Sequence, residues 1–209
     1  RWSDRLPGTK LRLSGSPISV RVRLDAGTGP NLGFDLTEAG THKGVALYAV
    51  RDPQDVPGIA ALGPDPLAED FRIGDVVTGK RVQVKRLLRD QKVIAGIGNA
   101  YSDEILHAAQ LSPFAIAADL KPDELTRLDD AVRSVLTEAL EAARGKPAAD
   151  LKDNKRSRMR VHGRTGEPCP VCGTAVAEVA FADSSLQYCP TCQTGGKALK
   201  DRSTSKFLK

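Results

Sequence analysis

No apolar run in this 209-residue chain approaches the roughly eighteen residues that a membrane-spanning helix needs, and no secretory signal is visible. A soluble, cytosolic protein is expected. Cysteine is absent before position 169, so no disulfide framework can run through the body of the chain. A starting methionine is absent too: the chain opens on Arg1-Trp2, and we expect an upstream segment to have been lost, processed or left out. Acidic charge is only slightly in deficit, with 31 Lys plus Arg against 26 Asp plus Glu and a pI near 9.1. The excess is unevenly placed. Lys152, Lys155, Arg156, Arg158, Arg160 and Arg164 face Asp153 alone, and Lys197, Lys200, Arg202, Lys206 and Lys209 follow near the C-terminus. Such clusters favour a polyanionic partner, because each phosphate neutralised releases bound counterion. A solvated linker and a frayed tail would carry the same charge.

What is present is concentrated late in the chain. Cys169-Pro170-Val171-Cys172 is followed, after 16 residues, by Cys189-Pro190-Thr191-Cys192. Two such pairs deliver four thiolates to one tetrahedral Zn2+ ion, the arrangement of a zinc ribbon. Pro170, Pro190 and Gly173 suit the knuckle turns, and Val176–Phe181 can start a hairpin turning near Asp183-Ser184-Ser185. Two disulfides are the alternative, and the missing secretory signal argues against them.

Ahead of the cysteines, residues 1–70 read as β-rich. Val20–Leu24 alternates apolar and charged residues, Val45–Val50 is a continuous apolar run expected as a buried strand, and Gly27–Pro30, Pro57-Gly58 and Gly63–Pro66 punctuate the rest. Residues 71–145 read as helical. A short helix is expected over Arg81–Arg89 with a strongly basic side on which Lys85 is exposed, and a second over Ala100–Leu111, closed by Pro113. The longest should run from Pro122 to about Arg144, started by Pro122 with Asp123 and Glu124 and stopped by Gly145 and Pro147. Its stripe of Leu125, Leu128, Val132, Val135 and Ala139 is core. Asp103-Glu104 is expected to cap or solvate its helix. The turn Gly96-Ile97-Gly98-Asn99, lying just before a helix, can bind a phosphate with Asn99 as donor or N-cap; it can equally be only a tight turn. A dinucleotide fingerprint is disfavoured, since the third glycine is missing.

Two of these segments together resemble a known family. Lys85-Arg86-Leu87-Leu88-Arg89-Asp90-Gln91-Lys92-Val93-Ile94-Ala95-Gly96-Ile97-Gly98-Asn99-Ala100-Tyr101-Ser102-Asp103-Glu104 resembles the helix–two-turns–helix element of formamidopyrimidine-DNA glycosylases and endonuclease VIII. Val161–Cys169 and Tyr188–Gln193 resemble the entry to and exit from that family's zinc ribbon, and Leu62–Leu67 its join between domains. The resemblance implies an α+β architecture. Its parts would be a partial N-terminal β-sandwich remnant (1–68), a helix–two-turns–helix DNA-binding domain (69–160), the ribbon (161–198) and a basic tail (199–209). It also implies base-excision repair. The family flips a damaged base out of duplex DNA, attacks the sugar with an N-terminal proline, and cuts the strand by β,δ-elimination. By position, Asn99 and the Gly98 turn would hold a phosphate beside the lesion, Lys85 would match a basic phosphate contact, and Cys169, Cys172, Cys189 and Cys192 would hold one structural zinc. The implied partner is double-stranded DNA with oxidised bases or abasic sites, met by a monomer at the nucleoid.

The departures bear on activity. The family's proline, its adjoining glutamates and its β-domain lysine have no counterpart within 1–209, and no catalytic residue is assigned there. A wedge methionine is missing as well. Asp55 and Pro57 stand where the family has a void-filling arginine and phenylalanine, Ser184 where the ribbon carries an arginine, and His162 where a tyrosine is usual. Arg158, Arg160 and Arg164 are the nearby cations that would compensate. The free amine of Arg1, partly neutral near physiological pH, is the best candidate to attack a preformed abasic site, while Lys85 and Lys92 are expected to pair with phosphate. Three readings follow: the grip of a larger glycosylase and lyase, a natural short form that binds without cutting, or a ribosome- or transcription-associated zinc protein.

Overall fold

The alternation over Val20–Leu24 does form a strand. In the computed structural model, which describes residues 2–3, 18–24, 32–38, 44–147, 150–181 and 184–199, β1 (Trp2–Ser3), β2 (Ile18–Leu24) and β3 (Leu32–Thr37) make an antiparallel sheet in the order β1-β3-β2. Arg21 stands opposite Asp35, and its guanidinium donates to both carboxylate oxygens at 2.6 and 2.9 Å. The Gly27–Pro30 turn, the Arg1 amine and the cations from Lys200 to Lys209 lie outside the described residues.

The expected strand over Val45–Val50 does not form. Residues 44–50 adopt neither helix nor strand, and Val45, Leu47, Tyr48 and Val50 are exposed, Leu47 at 69%. A continuous apolar run becomes a buried strand only where neighbours cover both its faces. Among the described residues, no strand pairs with this one.

The helical body follows the sequence more closely. Its elements are α1 (Pro57–Ala60), α2 (Ile73–Val77), α3 (Val84–Arg89), α4 (Asn99–Ala108) and α5 (Pro122–Ala143). α5 starts as its residues dictate, with Pro122 in the first turn and the Lys121 amide donating to Glu124 Oε2 at 2.8 Å. Leu128, Val132 and Val135 are buried in one core with Ile73, Val77, Val84, Leu88, Ile94, Ile97, Ile105 and Leu106. α3 begins three residues later than expected, because the backbone before it is used elsewhere. Gln83 bridges to Ile116, and the Ala117 amide donates to Val82 O at 2.9 Å. α4 stops short of Leu111 because Gln110 takes a left-handed φ of 55°.

The two turns between α3 and α4 are braced by one side chain. Gln91 accepts from the Gly96 amide at 2.8 Å and donates to Ile97 O at 2.8 Å, while Gly96 itself sits at φ +82°. Gly63 packs directly on this turn. A Cβ there would lie 2.5 Å from the Val93 carbonyl carbon, a clash with backbone that has no room to yield, so only glycine fits.

A helix unforeseen in the sequence, α6 (Leu151–Arg158), carries the basic stretch, and its C-terminal turn holds Lys155, Arg156 and Arg158 where the helix dipole favours cations. The ribbon follows, with β4 (Ala177–Ala180) and β5 (Ser185–Tyr188) antiparallel and α7 (Pro190–Thr194) behind them. Phe181 N donates to Ser184 O at 2.7 Å at the hairpin end.

Candidate nucleic-acid interface and zinc site

α4 organises the site. Asn99, Asp103 and His107 fall at four-residue steps and so share one face of the helix. That face is polar, and all three residues reach the ribbon. The Asn99 side-chain amide donates to Ser185 O at 2.8 Å. Asp103 Oδ2 pairs with His162 Nδ1 at 2.7 Å and accepts from the Gln187 amide at 3.3 Å. His107 Nε2 lies 3.2 Å from Cys169 Sγ. Beside them, Glu104 accepts three consecutive backbone amides, from Arg160 at 2.7 Å, Val161 at 3.0 Å and His162 at 2.8 Å. The helical body and the ribbon are therefore joined through buried, directional bonds.

Several expectations are corrected here. Asp103 and Glu104 do not cap or solvate α4; both are buried, at 0% and 3% exposure, because their acceptors are filled from Lys85 and from backbone amides at the ribbon's entry and on β5. Lys85 is not on an exposed basic side. It is 6% exposed, and its ammonium donates to Asp103 Oδ1 at 2.5 Å, Ser102 Oγ at 2.7 Å and Asn99 O at 3.4 Å. Burial pulls this ammonium below its ordinary pKa in spite of Asp103. Lys80, Arg81, Arg86, Arg89 and Lys92 are exposed cations of that region. Nor is Asn99 the N-cap of α4. Gly98 takes that place with no side-chain cap, so the amides of the first turn of α4 have no partner within the helix. Gly98 has φ −106°, and a Cβ there would meet nothing within 4 Å. Nothing among the described residues demands glycine at this position.

A cleft of about 480 Å³ opens between α6 and the start of α4, lined by Ala100, Lys152, Lys155, Arg156, His162 and Arg164 among others. The Arg164 guanidinium is partly engaged, donating to Glu167 Oε2 at 2.8 Å and to Ser157 O at 3.1 Å. Lys155 also stacks over the Tyr101 ring, 4.8 Å from its centroid.

The four cysteine sulfurs lie within 4.8 Å of one another, and none is in a disulfide. Cys169 Sγ and Cys192 Sγ are 3.9 Å apart, Cys172 Sγ and Cys189 Sγ 3.3 Å. A tetrahedral ion with Zn–S bonds of about 2.3 Å places its sulfurs about 3.8 Å apart, so the cluster fits zinc. Hydrogen bonds from the Thr174 side chain and amide pull the Cys172 thiol down to about 6. Burial pushes the Cys189 and Cys192 thiols up, and an ion's charge overrides that by deprotonating both. Gln193 locks the second knuckle, accepting from the Cys189 amide and donating to Leu111 O, each at 2.8 Å.

Residues 62–149 match the formamidopyrimidine-DNA glycosylase H2TH domain, and residues 166–195 the zinc finger found in FPG and IleRS. An uncharacterized formamidopyrimidine-DNA glycosylase-like protein of Mycobacterium tuberculosis is 57% identical over 150 residues, which cover 71% of this chain and 95% of that protein. The chain belongs to the formamidopyrimidine-DNA glycosylase-like family. The formamidopyrimidine-DNA glycosylase of Thermus thermophilus is 39% identical over 163 residues, 72% of this chain and 61% of that enzyme. Among solved structures, the MutM (Fpg) protein of Thermus thermophilus superimposes with a TM-score of 0.60 at 34% identity, over 80% of this chain and 62% of that one. Lactococcus lactis Fpg, solved with DNA containing an abasic site, gives 0.59 at 27% identity, over 68% and 55%. The chain thus spans only about three fifths of these glycosylases. Its ribbon is a family zinc finger, and its four cysteines are the ligands of a structural zinc ion. No helix among the described residues is long and apolar enough to cross a membrane.

Sequence reading missed α6, the Gln91 brace and the buried role of Asp103 and Glu104. The signal for the last was available: a helix whose polar residues recur every four positions needs a polar partner for that face.

Proposed function

We propose that this chain is the DNA-gripping part of a base-excision repair glycosylase. It binds duplex DNA carrying oxidised bases or abasic sites, as a monomer acting at the nucleoid. The observation that carries this reading is the junction itself. α4 and the ribbon are locked along one face, and this sets the open amides of α4 beside a cleft rich in cations. Open helix amides and lysine or arginine side chains are the chemistry that holds a phosphate. Gly98 leaves room for the phosphate to approach, Asn99 contributes its backbone amide and second side-chain hydrogen, and Arg164 adds charge from the cleft wall. Lys85 acts from beneath, fixing the Asn99 carbonyl rather than touching DNA. On this reading the chain divides at 1–68, 69–160, 161–198 and 199–209. The order of the two family matches supports a glycosylase over a ribosome- or transcription-associated protein. In the complete enzyme of this reading, base removal and β,δ-elimination belong to an N-terminal proline that residues 1–209 do not include.

Asn99→Ala should weaken binding about tenfold, the worth of one charge-assisted hydrogen bond, and equally on all sequences. Affinity of the unaltered chain should fall steeply with salt. Fluorescence anisotropy on several duplexes measures both; a base-selective loss or a flat salt response would refute the phosphate grip.

A second reading, a natural short form that binds without cutting, is favoured by one fact: 95% of the Mycobacterium tuberculosis relative lies within its alignment to this chain. Borohydride trapping on an abasic-site duplex tests for chemistry directly. We expect no covalent adduct from a sample in which binding is verified. An adduct would place an attacking amine within 1–209, with Arg1 the first candidate.

A further inference from the structure

We infer that His107 is an outer-sphere partner of the zinc ion: its Nε2–H donates to the Cys169 thiolate and ties the first knuckle to α4. This rests on the zinc assignment alone and is independent of the DNA reading. His107 sits two turns along α4 from Asn99 and is 2% exposed, with Nε2 3.2 Å from Cys169 Sγ. A metal-bound thiolate has no proton to give, so any bond between the two must run from nitrogen to sulfur. The other ring nitrogen agrees. Nδ1 is buried with no hydrogen-bond partner among the described residues. With the proton on Nε2, Nδ1 keeps only an idle lone pair; a proton on both nitrogens would strand a buried donor and a charge, which costs more.

The site has a use for such a donor. Four thiolates on one divalent ion leave two net negative charges, and Cys169 and Cys189 hold much of that charge away from water, at 3% and 0% exposure. A hydrogen bond to sulfur draws off part of it and slows protonation and loss of the ligand. Cys189 Sγ receives the Cys192 amide at 3.5 Å, and Thr174 serves Cys172. His107 does this for Cys169 from outside the ribbon, so the metal centre and the helix that begins at Asn99 share one bond. A phenylalanine would fill the same space without desolvating a polar ring, so packing alone gives no reason for histidine.

Two measurements test this. In chain loaded with 113Cd, a proton–cadmium correlation experiment should show a cross-peak between the imidazole Hε2 of His107 and the metal, carried through the hydrogen bond. Cysteine Hβ cross-peaks without the histidine one would overturn the assignment, with no variant needed. Zinc release to excess chelator supplies the second. His107→Phe keeps the ring and loses the donor, and should release zinc about tenfold faster, the size typical of outer-shell losses. His107→Gln retains an N–H in reach and should restore slow release. A purely packing role predicts the reverse order, with Phe tolerated and Gln not, and that result would refute the proposal.

Discussion

Stripping the zinc is expected to unfold residues 166–195 and to abolish tight DNA binding in the same titration, while α5 and the core around it stay folded. The ribbon cannot stand on its own apolar contacts. One of its clusters is Val161 and Val176 packed on Cys169 and Cys189, and the other is Val179, Leu186 and Tyr188. A module of this size lies below the range in which a core supports itself, and metals usually make up the difference. Zinc supplies on the order of 10–16 kcal/mol to comparable finger peptides. The docking bonds from Glu104, Gln187 and Gln193 are the competing source of stability, but each contributes only about 1–3 kcal/mol net, the upper end for those to the Glu104 carboxylate. They place the ribbon; the ion folds it. Chelator titration followed by amide spectra and by anisotropy should show ribbon resonances collapsing as affinity falls, with core resonances such as Leu128 and Val132 unmoved. Loss of ribbon order with affinity intact would remove the ribbon from the interface. An ordered apo ribbon would show that the docking bonds suffice.

What was legible in the sequence was what is local. The knuckles are set by cysteines three apart, and α5 by a stripe of apolar residues with an N-terminal proline; neither depends on distant neighbours. Val45–Val50 failed for the opposite reason, since burial of a strand is decided by what lies on both sides of it. The charged residues of the junction failed in the same way. Lysine and glutamate are solvated by default, and only a partner far along the chain overturns that: Asp103 for Lys85, 18 residues away, and residues 160–162 for Glu104, 56 to 58 away. Family resemblance named Asn99 and Lys85 as DNA contacts. Geometry separates their surroundings: Lys85 is buried against Asp103 and Ser102, whereas Asn99 is half-buried with its side-chain amide on Ser185 O.

Asp103→Ala should be the costliest side-chain change in the helical domain, about 3–5 kcal/mol or on the order of 10 °C in Tm. The Asp103 side chain is fully buried, and its loss leaves the Lys85 ammonium, 7% exposed, with Ser102 Oγ and Asn99 O alone among the described residues. Against total stability of about 5–15 kcal/mol this is a large fraction. The exposed Asp123–Arg127 pair at 2.7 Å is the contrast: its side chains are 66% and 42% exposed, and breaking it should leave the melting temperature nearly unchanged. Two causes contribute to the Asp103 effect, an orphaned charge and lost anchors to His162 and Gln187, and a double variant separates them. Lys85→Met with Asp103→Leu removes both charges and should recover most of the melting temperature. It should not recover DNA affinity, because the ribbon entry would still lack the carboxylate that orients His162. A double variant as unstable as the single would assign the cost to the lost ribbon bonds. A double variant restored in both stability and affinity would leave the Lys85–Asp103 pair with no role in positioning the ribbon.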